Sequence, residues 1–289
     1  MKASPAITEG SAPQGALAFL PGSLSAADYV RPMRGGSQAH MLIANNGNAY
    51  ITKTINNPQS PRVLANEWLA SRIGREIGLS IPAPAIVQIS AEFIQANPQM
   101  VIRQAGQTIP CAAGLAFGSC VPVDPQQPIY DYLPEPTLET VGNVREFAGC
   151  LLLDKWLCNC DGRQIIYCRP PNGRMRVYFI DHGFCFDAEG WDFPDSPLRG
   201  VYMRNCVYAH ITSWQSFEPW LSRIECFPLP LLESIAAEMP AEWMPSTDAL
   251  RRLILAIHDR RQSVRNLILA VKHSPRRPFS NWTEAASET

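Results

Sequence analysis

The chain has 289 residues, is 46% hydrophobic and 18% charged, and carries a formal net charge of −1. This is enough length to bury a sizeable core in one large domain or two lobes, with no overall charge to attract nucleic acid or an anionic membrane. Nine cysteines, an odd number at irregular spacings, behind an N-terminus with no signal-length apolar segment, point to reduced thiols in a cytoplasmic protein.

Residues 1–25 are rich in Ala, Ser, Gly and Pro and read as a flexible arm. Residues 39–55, "AHMLIANNGNAYITKTI", hold two apolar runs about an "NNGN" turn, which predicts a hairpin. In "RVLANEWLASRIGREIGLSIPAP" the side chains of Leu64, Trp68, Ile73 and Ile77 share a face at helical spacing, and Gly78, Pro82 and Pro84 end the pattern. "AIVQIS" and "MVIR" read as strands. Residues 104–123 are twenty consecutive uncharged residues, but Pro, Gly and Gln interrupt them, so they read as buried strand and loop rather than a membrane span. This first half, residues 26–122, is expected to be a small sheet with one long helix inserted, an α+β unit.

The second half, residues 123–275, reads as mainly helical. Asn143 is expected to cap a helix that buries Val144, Phe147, Leu151 and Leu152 and runs to about Leu157. A single long helix is expected from Ser246 or Thr247 to Pro275, with Leu250, Leu253, Ile254, Ile257, Val264, Leu267, Ile268 and Val271 as its apolar stripe. Its Arg251, Arg252, Arg260, Arg261 and Arg265 are expected on a solvated face. Trp191, Phe193, Trp214, Phe217 and Trp220 read as core of the helical region, and residues 276–289 as a loose tail.

Between the helices, "RQIIYC" and "MRVYFI" flank the turn "RPPNGR" and predict a second hairpin. Its open end would bring Asp161 and Asp181 together, and paired carboxylates serve acid–base chemistry or share a cation. Cys158, Cys160 and Cys168 are too closely or irregularly spaced for the usual zinc clip, and no G-x-S-x-G elbow for a serine hydrolase occurs. Upstream, "GGS" can turn backbone N–H groups toward phosphates, Lys53 ends a strand that can reach them, and Glu67 on the following helix can pair with Lys53.

Gly turn, strand Lys, helix Glu, Asp, hairpin and Asp-x-Gly succeed one another in the order of a protein-kinase-like fold. The stretches "GGSQAH", "YITK", "NNPQSPRVLANEWLA", "LLLDKWLCNCDGRQ" and "YFIDHGFCF" resemble the HipA-like kinase family in its compact bacterial form. The resemblance implies a bilobal kinase-like fold binding ATP and Mg²⁺. It implies that Gly35, Gly36, Ser37 and Gln38 cover the phosphates and that Lys53 binds them with Glu67 orienting it. Asp161 would be the catalytic base and Asp181 a metal ligand. It also implies a hydroxyl acceptor, on a protein Ser or Thr or on a small molecule. The adenine-binding hinge would lie near Val101–Gln104 or in "LAFGS". The chain departs from the family where a second metal-binding Asn is expected, at Ile166. Gln164 or Asn159 could supply that oxygen. His40 stands where the family's loop has a basic residue, and Met33 lies near the place of the serine that family toxins phosphorylate. A nucleotide-binding pseudokinase and a nucleotidyltransferase are the alternative readings.

Overall fold

A computed structural model describes residues 24–170, 173–244 and 246–282. Most of the expected N-terminal arm and the last residues of the expected tail lie outside these. The first lobe is a five-stranded antiparallel sheet in the order β1-β2-β3-β7-β4, formed by β1 (Ala26–Pro32), β2 (His40–Ala44), β3 (Ala49–Lys53), β4 (Pro84–Ile89) and β7 (Gly114–Cys120). The expected "NNGN" hairpin joins β2 to β3, with Leu42 opposite Tyr50. α1 (Val63–Glu76) comes next, with Leu64, Trp68, Ile73 and Ile77 buried as its spacing predicts. Gly78, at φ +88°, stops it in a conformation that other residues avoid. Between β4 and β7 come the short helix α2 (Ala91–Ala96) and a separate hairpin of β5 (Val101–Gln104) and β6 (Gln107–Pro110).

The second lobe contains α3 (Glu135–Leu138), α4 (Glu146–Trp156), the hairpin of β8 (Gln164–Cys168) and β9 (Arg176–Ile180), then α5 (Trp220–Glu225), α6 (Leu229–Ala237), α7 (Thr247–Arg260) and α8 (Val264–Lys272). One apolar core runs through α1, α4, β8, β9 and the later helices, so α1 belongs to both lobes. Burial on this scale is the main stabilising term.

Four expectations are corrected. Asn143 does not cap α4. It is buried, accepts from the Val177 N–H at 2.9 Å and donates to the Val177 carbonyl at 2.9 Å, pairing like a strand residue with β9. The long C-terminal helix is two, α7 capped by Ser246 and α8, separated by a 3₁₀ turn at Arg261–Ser263. There the Arg261 guanidinium bonds the carbonyls of His258, Glu225 and Phe227, which competes with the helical ladder. Arg260 bonds the carbonyls of Trp156 and Lys155, and Arg265 pairs with Glu225, so this basic stripe is partly a set of interhelix ties. Finally, residues 276–282 are packed: Phe279 is buried against Tyr208, Phe217 and Trp282.

Candidate active site

β3 ends on Lys53, whose ammonium is buried between two carboxylates. It meets Glu67 Oε1 of α1 at 2.5 Å and Asp181 Oδ1, just past β9, at 2.9 Å. Burial disfavours the Lys53 charge, but Glu67 and Asp181 outweigh it and raise its pKa. Burial likewise opposes the Asp181 charge, and Lys53 overcomes it, so that carboxyl is held below its ordinary value. Burial pushes Glu67 up, against the pull of Lys53 and of the His182 N–H, which donates to Glu67 Oε2 at 3.0 Å. His182 is buried and stays neutral, because burial and then the Arg163 charge depress its pKa strongly.

Asp181 has φ +59°, an uncommon conformation for a residue with a side chain. Gly183 lies two residues on, where a Cβ would be 3.1 Å from Val63, a tight contact that the valine would have to ease by a few tenths of an ångström, and 3.4 Å from Glu67, so α1 packs closely here. The β8–β9 hairpin forms with Gln164 opposite Ile180, which places Asp161 and Asp181 at its open end. Asp161 is exposed at the rim. Its backbone N–H donates to Asn159 Oδ1 at 3.1 Å and its Oδ1 accepts from the Gly162 N–H at 2.7 Å.

Two residues beyond those the sequence pattern nominates hold this end in place. Arg163 is buried and clasps the buried Asp154 of α4 through Nε, at 2.9 Å, and through a second guanidinium nitrogen. Its remaining nitrogen donates to the Ile180 carbonyl at 2.7 Å and reaches that of Asp181 at 3.4 Å. One guanidinium thus ties α4, the Asp161 loop and the Asp181 turn together. An acid at position 154, inside the apolar run "LLLDKW", is the signal for it in the sequence. Next to it, Lys155 is buried and donates to the carbonyls of Ser196, Pro197 and Arg199 at 2.9, 2.9 and 2.5 Å, with its pKa lowered to about 8 by burial. The segment at 196–199 is thereby fixed against the end of α4.

The two candidates for a second metal-binding oxygen differ. Asn159 is buried, and both ends of its amide are committed, Nδ2 to Asp154 at 3.0 Å and Oδ1 to the Asp161 N–H. Gln164 is exposed, with Nε2 3.5 Å from Asp161 Oδ2. Ile166 lies within β8 opposite Tyr178.

In the turn between β1 and β2, Gly35 takes φ +117°, and Asn57 Nδ2 braces the Ser37 carbonyl at 3.0 Å. The Gln38 side chain turns away from the turn it belongs to. Its amide donates to the Arg103 carbonyl and accepts from the Arg103 N–H, both at 2.7 Å, and so clasps β5. His40 is buried in β2, with Nε2 3.3 Å from the Val101 carbonyl, and burial lowers its pKa; it offers no charge to the loop. Of the two hinge candidates, "LAFGS" lies in β7 beside β3, with Phe117 opposite Lys53, whereas Val101–Gln104 stands outside the five-stranded sheet. Cys158, Cys160 and Cys168 are free thiols, and among the described residues no group of three or more His, Cys, Asp or Glu is arranged to hold a metal. No helix among the described residues is long and apolar enough to cross a membrane.

The fold is shared with solved kinases at low identity. A Helicobacter pylori proinflammatory kinase, CtkA, superposes with a TM-score of 0.53 at 12% identity, over 86% of this chain and 97% of that one. A Golgi casein kinase with Mn and ADP bound superposes with a TM-score of 0.51 at 11% identity, over 88% of this chain and 73% of the other. A search of curated proteins gave no match. The sequence profile of the HipA-like kinases matches residues 29–269, the stretch that carries both lobes and every site residue named above, and the chain belongs to that family.

Proposed function

We propose that this kinase-type phosphotransferase moves the γ-phosphoryl group of ATP to a hydroxyl, on a protein Ser or Thr or on a small molecule. The observation that carries this reading is the buried Lys53, held between Glu67 and Asp181, with the exposed Asp161 before the first strand of the same hairpin that Asp181 follows. Lys53 is fully charged in this setting and pre-placed to neutralise the α- and β-phosphates, while Glu67 keeps it from swinging away. Gly35, Gly36 and Ser37 would cover the phosphates with backbone N–H groups, and Gln38 would fix that cover to β5. The adenine would lie against the chain leaving β7.

Asp181 offers hard carboxylate oxygens of the kind Mg²⁺ takes, and Gln164 an exposed amide beside Asp161, so the donor set fits a divalent cation held jointly with nucleotide phosphates. A bound Mg²⁺ would supply charge neutralisation between the β- and γ-phosphates. The exposed Asp161 would accept the proton of the attacking hydroxyl as the new O–P bond forms, and ADP would leave with the electron pair of the broken bond.

A second reading has an observation of its own. With Ile166 in β8 and the Asn159 amide already bonded at both ends, Gln164 is the freer of the two candidate oxygen donors, and this thinner donor set favours a nucleotide-binding pseudokinase. Incubation with α- and γ-labelled ATP, with Mg²⁺ or Mn²⁺, separates the readings. Transfer of the γ label, lost in Asp161→Ala and Asp181→Ala, is the expected result. Nucleotide binding without transfer of either label would establish the pseudokinase, and transfer of the α label a nucleotidyltransferase.

A further inference from the structure

The segment after Asp181 is folded against its own backbone preferences. Phe186, Asp187, Ala188 and Trp191 have φ values of 58°, 53°, 54° and 53°, a left-handed region that residues with side chains seldom enter. Such a segment keeps its shape only when its surroundings over-determine it. On one side the Asp161 loop does so: the Phe186 and Asp187 N–H groups donate to the carbonyls of Leu157 and Cys158 at 2.7 and 3.2 Å. On the other side one side chain of α1 makes three of the polar contacts.

That side chain is Asn66, fully buried and next in sequence to Glu67. Its Nδ2 donates to the Gly183 carbonyl at 2.8 Å and to the Ala188 carbonyl at 2.9 Å. Its Oδ1 accepts from the Trp191 indole N–H at 2.8 Å. Both amide hydrogens are used, and three points of the segment converge on one amide. Arg62, one turn earlier on the same side, stacks on the Trp191 ring at 4.7 Å and bonds the Glu189 carbonyl. Neighbouring residues of α1 thus do two linked things. Glu67 holds Lys53 and the His182 N–H, and Asn66 holds the stretch from Gly183 to Trp191.

We propose that Asn66 is a positioning residue that locks segment 183–191 onto α1, so that Lys53, Glu67 and Asp181 are assembled without covalent modification of the segment. Any outward movement of α1 breaks the Asn66 and Glu67 contacts together, so the assembled state is left all at once or not at all. The consequence for turnover rests on the phosphotransfer reading above; the lock itself does not.

The test compares wild type with Asn66→Ala, Asn66→Asp and Trp191→Phe. Asn66→Asp keeps the acceptor for Trp191 but sets a carboxylate against two carbonyls, and Trp191→Phe removes a single donor and keeps a ring under Arg62. Loss of two buried bonds of ordinary strength should speed amide exchange across 183–191 by about tenfold or more in both Asn66 variants. Exchange in α7 should stay as in wild type. Turnover of Mg²⁺·ATP should fall by about tenfold, while ADP affinity without metal stays within about threefold, because Asn66 acts on placement of the Asp181 turn. Trp191→Phe should move exchange and turnover in the same direction by a smaller factor and decides the matter if Asn66→Ala does not fold. Unchanged exchange across 183–191 would overturn the lock. Faster exchange with turnover within twofold of wild type would overturn its role in positioning. If wild type itself transfers no phosphoryl group, the reading of the cleft fails and exchange alone decides on Asn66.

Discussion

Replacing Arg163 with Met should damage this protein twice over, and the two injuries can be separated. The Arg163 and Asp154 side chains are both about 1% exposed, so Arg163→Met strands a carboxylate in the core. Asn159 Nδ2 would remain on Asp154, at 3.0 Å, as its nearest polar donor. Breaking a buried pair from one side costs about 3–5 kcal/mol, against a total stability of roughly 5–15 kcal/mol for a folded domain. At about 2–4 °C per kcal/mol for a chain somewhat smaller than this, the melting temperature should drop by roughly 10 °C. The double variant Arg163→Met/Asp154→Leu removes both charges, and most of the lost stability should return. Turnover should not return, because the Ile180 and Asp181 carbonyls still lack the guanidinium that holds the Asp181 turn. Thermal melts by circular dichroism and steady-state turnover of the three proteins read both effects. A single variant that melts within about 2 °C of wild type, or a double variant that regains full turnover, would refute this account of Arg163.

Other perturbations draw on the same geometry. Glu67→Gln exchanges an ion pair for an ion–dipole bond and leaves Asp181 as the anion on Lys53, so kcat/KM for ATP should fall roughly 10- to 100-fold with little change in melting temperature. His182 is neutral in the fold, with its pKa well below the ordinary 6.5, so below that pH the unfolded chain binds the extra proton and the folded one does not. Stability should therefore fall as pH falls, by about 1.4 kcal/mol per pH unit from pH ~6.5 downward until the folded pKa is reached, with His40 acting in the same direction. Urea unfolding of His182→Leu between pH 7 and 5 should show a flatter slope, and an unaltered slope would assign the acid lability elsewhere. At Gly200, φ is +70° and a Cβ would come within 2.7 Å of the Asp154 Cβ, so Gly200→Ala should cost about 1–3 kcal/mol in a urea melt.

Much of the frame was legible in the chain. The period of α1, the Asn-Gly turn between β2 and β3 and the alternating strands are local signals, and the order of Lys53, Glu67, Asp161 and Asp181 is read directly from the chain; the second Asn-Gly turn lies partly outside the described residues. Residue type could also nominate Asn159 as an oxygen donor. It could not reveal that Asp154 and the Asp161 N–H already occupy that amide, because commitment of a side chain depends on contacts between elements. Asn143 shows the same limit, since a cap and a cross-strand pair ask for the same chemistry and differ only in what stands opposite. The break between α7 and α8 was hidden because the apolar stripe runs on with little change in phase, and the cause lies in the carbonyls of Glu225 and Phe227, far away in sequence. The choice of β7 over β5 as neighbour of β3 was likewise a matter of sheet order, which two short apolar runs of similar character do not specify.

The clasp between Gln38 and Arg103 has a mechanical meaning. A glycine-bearing turn over a nucleotide would ordinarily be free to flap, but here one amide grips both backbone groups of a residue 65 positions later. The turn and the β5–β6 hairpin therefore move as one lever, whose far end is the bend at Ala105 and Gly106, both with positive φ. On the proposed reading, a nucleotide entering or leaving would have to lift the whole lever or unfasten two hydrogen bonds. Anything that grasps the hairpin tip would then gain a handle on how fast that exchange takes place.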